Sequence, residues 1–134
     1  MKKNIKLIIA GTRDFCNPDS MRSEEIERLT RMANEQLEII SQKYNIIEVV
    51  SGGAKGADKF GEEWAKEREI PVSYFLANWH EFGKRAGPIR NQQMADYADR
   101  LMIFWNGYSK GTKNMMSLMR EAEKTTFIAL YQEE

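Results

Sequence analysis

The sequence predicts an α/β fold: one three-layer domain with a five-stranded, mainly parallel sheet and helices on both faces. Three observations carry this. Short apolar runs of strand length alternate with helical stripes along all 134 residues. The first run, with one lysine, and the fourth, apolar throughout, suit strands buried on both faces. Two of them end in glycine-bearing loops that open directly into helices.

Ile5 to Ala10 is the first strand, an apolar run with one lysine. Its lysine-rich start is too short and too quickly followed by Gly11-Thr12-Arg13-Asp14-Phe15 to read as a signal peptide. In open α/β sheets, ligands bind beyond the carboxyl ends of the strands, so this loop is a candidate site. Arg13 suits phosphate or carboxylate. Asp14 either pairs with Arg13 or takes a ligand hydroxyl.

Asn17-Pro18 has the form of a helix cap followed by proline, which predicts a helix from there to about Lys43. Ile26, Leu29, Ala33, Leu37 and Ile40 form its buried stripe. Ile46 to Val50 is the second strand, and Ser51-Gly52-Gly53-Ala54-Lys55-Gly56-Ala57-Asp58 follows. A strand, a glycine loop and a helix in succession present free amides and a positive dipole end to an anion. The alternative is a tight turn using glycine for close packing. Asp58, in the first turn of the helix, favours the dipole or binds a ligand hydroxyl.

Pro71 stops that helix. Val72 to Leu76 is the third strand, and Asn78 to Gly87 is read as a loop holding Trp79 and His80. Trp79 stacks on a ligand ring or covers the core edge. His80 is the single histidine, and one cysteine accompanies it in the chain, so no metal site is assigned. Gly87-Pro88 starts a helix carrying Arg90 in its first turn. Leu101 to Trp105 is the fourth strand, and Asn106 to Thr112 forms the second glycine junction. A Met-rich helix and a last strand, Thr126 to Tyr131, complete the chain.

Bulk properties bound the function. Twenty basic residues balance twenty acidic ones, which removes the basic excess expected of a protein held on nucleic-acid backbone. The lone Cys16 excludes an internal disulfide and fits a reducing, cytoplasmic setting. No apolar run reaches membrane-spanning length. Self-association is left open. A P-loop requires Gly-Lys-Ser/Thr, but Lys55 precedes Gly56 and Ala57-Asp58 follows it. A dinucleotide fingerprint belongs after the first strand, where only Gly11-Thr12-Arg13 stands.

Four ordered segments resemble the SLOG superfamily, and above all its small YspA/YpsA-related bacterial and phage members. They are Gly11 to Phe15, Ser51 to Asp58, Ala86-Gly87-Pro88-Ile89-Arg90-Asn91-Gln92-Gln93-Met94, and Gly111-Thr112. The superfamily is Rossmann-like and includes the DprA DNA-processing proteins and the LOG phosphoribohydrolases. The resemblance implies a nucleotide or nucleotide-derived ligand at these loops, with no further cofactor. Ser51, Gly52, Gly53, Ala54, Gly56, Ala57 and Asp58 would cradle phosphate, together with Gly111 and Thr112. Gly11, Thr12, Arg13 and Arg90 would flank it, while Asn91, Asn106 or Trp79 orient sugar or base.

LOG enzymes cleave an N-glycosidic bond with an Arg-Lys-x-x-Met segment and a Gly-Thr-x-Glu loop. This chain keeps Arg90 and Met94 but has Asn91 for the lysine, and Asn114 stands at the glutamate position. An amide cannot stabilise an oxocarbenium ion as a carboxylate does. The expectation is therefore a binder. A hydrolase using Asp14 or Asp58 with Arg90 is the alternative, and DprA-like single-stranded DNA binding, disfavoured by zero net charge, the third.

Overall fold

A computed structural model describes residues 1–133. The strands are β1 (Lys3–Gly11), β2 (Tyr44–Ser51), β3 (Val72–Tyr74), β4 (Arg100–Trp105) and β5 (Thr126–Leu130). The helices are α1 (Ser23–Lys43), α2 (Ala57–Glu67), α3 (Trp79–Phe82), α4 (Ala86–Tyr97) and α5 (Lys110–Glu121). The strands form one sheet in the order β3-β2-β1-β4-β5, and every neighbouring pair is parallel. The chain builds outward from β1 to β3, then returns to lay β4 on the other side of β1. The order reverses between β1 and β4, and a crevice opens at the carboxyl ends of strands at such a point.

The pleat divides β1 between two cores. Ile5, Leu7 and Ile9 face α1 and α2, and join Leu29, Leu37, Trp64 and Phe104. Ile8 and Ala10 face the α4 and α5 side, and join Met94, Ala95, Leu101, Ile103, Met115 and Met119. The predicted stripe of α1 lies in the first core. The methionines of α5 fill the second, where an unbranched side chain adapts to an irregular gap.

The structure differs from the sequence reading at three boundaries. α1 begins at Ser23, not at Pro18. The Asn17 side chain does accept an amide, but from Asp19 at 3.0 Å, and the Asn17 carbonyl accepts those of Ser20 and Met21. These bonds close a turn that drops Met21 into the core. The Asn side chain offers the backbone a local alternative to helix, and here it wins.

β3 is shorter than the run Val72 to Leu76, because it pairs on one side only and Phe75 turns inward against Tyr97, ring centroids 5.3 Å apart. The segment read as a loop from Asn78 is mostly helical. Asn78 caps α3, accepting the Glu81 amide at 3.1 Å while its own side-chain amide donates to the Glu81 carboxylate. A 3-10 turn at Gly83–Arg85 then runs straight into α4. Among the described residues, no helix is long and apolar enough to cross a membrane.

Candidate functional site

Thr12 joins the two glycine junctions. It leaves β1 at the switch point, and its amide donates to the Phe104 carbonyl of β4 at 3.0 Å. Its own carbonyl accepts the Ala57 amide at the start of α2. Its hydroxyl accepts the Asn106 amide beyond β4 at 3.0 Å. One buried residue thus holds both bends against the β1 loop. Gly56 makes the approach possible. Its φ is +77°, and a Cβ there would drive into the carbonyl oxygens of Thr12 and Arg13.

A second chain of bonds crosses the rim through α4. Arg90 Nη1 donates to the Gly52 carbonyl at 2.6 Å, and Arg90 Nε donates to Asn91 Oδ1 at 3.0 Å. Asn91 Nδ2 in turn donates to Asn114 Oδ1 at 2.9 Å and to the Gly111 carbonyl at 3.4 Å. The guanidinium faces one bend and its neighbouring amide ties down the other. Asn91 is buried, so this pair is also an interior polar bridge between α4 and α5.

Between these bonds lies a cleft of about 460 Å³ over the β1/β4 switch point. Its polar wall includes Arg13, Asp14, Asp58, Arg90, Asn106 and Ser109. A second lobe of about 410 Å³ adjoins it, and Arg13, Ala54 and Arg90 belong to both. Trp79, half exposed on α3, and Leu76 wall the second lobe. A third groove, about 670 Å³, runs between α1 and α2 over Ile26, Phe60 and Trp64, and shares Lys55 with the second lobe. It is the largest of the three, but neither Arg13 nor Arg90 lines it.

The two glycine junctions differ in electrostatic state. Asp58 turns back into its own loop, where Oδ2 accepts the Ala54 amide at 3.2 Å and the Gly52 amide also bonds the carboxylate. The Gly53 amide donates to Ser51 Oγ. The amides of Gly52, Gly53, Ala54 and Ala57 therefore all have partners inside the protein. Burial pushes the Asp58 carboxyl up to about 6, although the amides and Arg90 pull the other way. Burial lowers Arg90, with Asp58 opposing and Arg13 reinforcing the shift.

At the other junction Ser109 caps α5, accepting the Thr112 amide at 3.3 Å. Lys110 and Gly111, in the first turn, find no acceptor for their amides among the described residues, and no acidic residue stands there.

The remaining residues singled out in the sequence fall into two groups. Gly11, Thr12, Asn91 and Thr112 line the central cleft with the residues already named, and Gly53 lines the second lobe. Ser51 does not reach the cleft; it is buried and donates to Glu62 Oε2 at 2.6 Å. Ala57 is buried behind the loop. Sequence reasoning missed Tyr108, Ser109 and Leu76 as lining residues. Ser109 had a signal, since a serine before Lys-Gly-Thr matches a helix N-cap. Tyr108 and Leu76 had none. Among the described residues, no group of three or more His, Cys, Asp or Glu side chains could hold a metal ion.

Comparison with known proteins reaches the β1 and β2–α2 segments of this rim. The sequence model of the YAcAr (YspA, cpYpsA-related SLOG) family matches residues 5–82, which include most of β1, the Gly52–Asp58 loop and Trp79. The Gene 61 protein of Mycobacterium phage D29 is 38% identical over 93 residues, covering 65% of this chain and 71% of the phage protein. No solved structure matches the chain. With more than half of its length matched, the chain belongs to the YspA, cpYpsA-related SLOG family.

Proposed function

We propose that the protein binds a nucleotide or nucleotide-derived anion in the two-lobed cleft at the carboxyl ends of β1 and β4. The observation that carries this is the pair Arg13 and Arg90, shared by both lobes, with Ser109, Gly111 and Thr112 at the start of α5 lining the central one. Guanidinium groups and helix N-termini are the two protein devices that best complement phosphate. Phosphate would sit between Arg90 and the α5 amides. Asp14 would take a sugar hydroxyl, and the exposed Trp79 ring offers a stacking surface in the second lobe; the Asn106 side chain is already engaged, accepting the Tyr108 amide and donating to the Glu133 carboxylate. Family membership supports the reading, since SLOG resemblance implies nucleotide-related ligands.

A thermal-shift screen tests it. A ligand at 100 times its dissociation constant stabilises by about 2.7 kcal/mol. Nucleoside mono- and diphosphates, cyclic nucleotides and ADP-ribose are the panel. At least one should raise the melting temperature, and Arg90→Ala should abolish the rise. If none shifts the wild-type protein, the reading fails.

One observation favours a second reading, hydrolysis of a nucleotide-like N-glycoside. Asp58 lines the cleft with its carboxyl raised to about 6, a range useful for proton transfer. Against it, the two backbone amides already occupy this carboxylate, and Asn114 is bonded to Asn91 where LOG enzymes carry glutamate. Release of free base from nucleoside monophosphates, lost in Asp58→Asn, would establish it. No release discards it.

A further inference from the structure

Asp58 occupies the place that a bound anion would take in a glycine loop. Its Oδ2 accepts the Ala54 amide at 3.2 Å, the Gly52 amide also bonds the carboxylate, and the Arg90 guanidinium acts on it electrostatically. The packing is close: a Cβ on Gly52 would lie 2.6 Å from Arg90 Nη1 and 2.9 Å from Asp58 Oδ2. The carboxylate is thus an internal substitute for a ligand anion, held by the loop amides and facing the same guanidinium.

We propose that Asp58 couples anion binding to proton uptake: when an anionic group docks on Arg90 in the central cleft, Asp58 takes up one proton. This deepens the proposed nucleotide site and rests on that reading.

The physical reason is charge placement. An anion on Arg90 stands beside a buried carboxylate, and two neighbouring negative charges in a low dielectric favour protonation of one. Asp58 is the group ready to accept, because burial has already raised its carboxyl. The groups around it oppose one another. Arg90 on α4 favours the charged form, whereas Glu62, one turn along α2, disfavours it. Arg13 and Asp14, from the β1 loop, line the same cleft as a second cation and a second carboxylate. From α5, Ser109, Gly111 and Thr112 face the cleft and bring no charge. An incoming anion draws on Arg90, and Asp58 loses the cation that opposed its protonation.

The consequence is selectivity. Above about pH 6 the cleft should discriminate against added negative charge, and Asp58 is the residue that sets this discrimination.

Sulfate is the probe, because its charge is constant across the range. Sulfate affinity is measured by NMR titration between pH 5 and 8, following the Ala54 and Gly111 amides and the Asp58 side-chain carboxyl carbon. The expected result is affinity falling up to tenfold per pH unit above about 6. Saturating sulfate should raise the titration midpoint of the Asp58 carboxyl resonance. In Asp58→Asn the affinity should be flat with pH. Sulfate binding of equal strength at pH 5 and 8, or an Asp58 midpoint unmoved by sulfate, overturns the coupling and leaves the site standing. Absence of sulfate-induced shifts at every pH overturns the coupling and counts against the anion site itself. The wild-type carboxyl resonance decides the matter even if Asp58→Asn does not fold.

Discussion

The β2–α2 and β4–α5 junctions look alike in sequence and behave differently in the fold. Each is a strand, a glycine loop and a helix. At β2–α2 an acidic residue in the first turn folds back onto the loop amides, and Gly56 is wedged beneath the β1 loop. At β4–α5 there is no acidic residue, Ser109 caps the helix, and the Gly111 position is open. The first is a structural clamp that carries a buried charge. The second is a free helix N-terminus. A glycine loop therefore predicts where backbone can approach closely, but whether ligand or protein makes the approach depends on the side chain that follows.

The sharpest way to break this comparison is the same substitution at both junctions. Gly56→Ala forces a Cβ into two carbonyl oxygens at positive φ. It should cost about 3 kcal/mol, seen as a lowered urea midpoint. Gly111→Ala meets nothing within 4 Å and lies inside a helix. It should be neutral or stabilise by about 0.5 kcal/mol. Equal costs at the two sites would remove the distinction.

The next largest effect is the pH dependence of stability. The folded protein holds the Asp58 proton more tightly than the unfolded chain, since the carboxyl rises from 3.8 to about 6. The group's contribution is therefore full below about pH 4 and is lost as pH rises through 6. Asp58→Asn should remove that loss, worth about 2 kcal/mol relative to wild type near pH 7. Urea unfolding of both proteins at pH 4 and pH 7 measures it. Parallel pH profiles would show that the carboxylate is not held as described.

A smaller effect tests the open junction. Ser109→Ala removes the α5 cap and should cost about 1 kcal/mol in the same assay. Sulfate affinity should also fall, because the α5 amides are then less well held. Loss of stability with unchanged sulfate affinity would move the anion away from this helix.

Much of the molecule is legible in its sequence. Ile5–Ala10 and Leu101–Trp105 read as doubly buried strands because both faces of the sheet are covered. The stripe from Ile26 to Ile40 read as the buried side of a helix, and the arginine and glycine segments placed the rim. Local competition hid other features. At Asn17 the side chain satisfies a turn where it could equally cap a helix. At Asn78-Trp79-His80-Glu81 a cap and its glutamate partner start a helix of only four residues, too short to show a periodic stripe.

The sequence alone determined the alternation of strands and helices, and which loops carry glycine, arginine and amide side chains. Those follow from short-range preferences: periodicity of burial, proline stops, glycine in tight bends. Only the tertiary structure decided that β4 lies beside β1, that Thr12 binds both bends, and that Asp58 rather than a ligand takes the amides of its loop. Each of these depends on contacts between groups far apart in the chain or on the direction a side chain turns. A carboxylate in a helix's first turn has the same local rationale whether it faces solvent or its own loop.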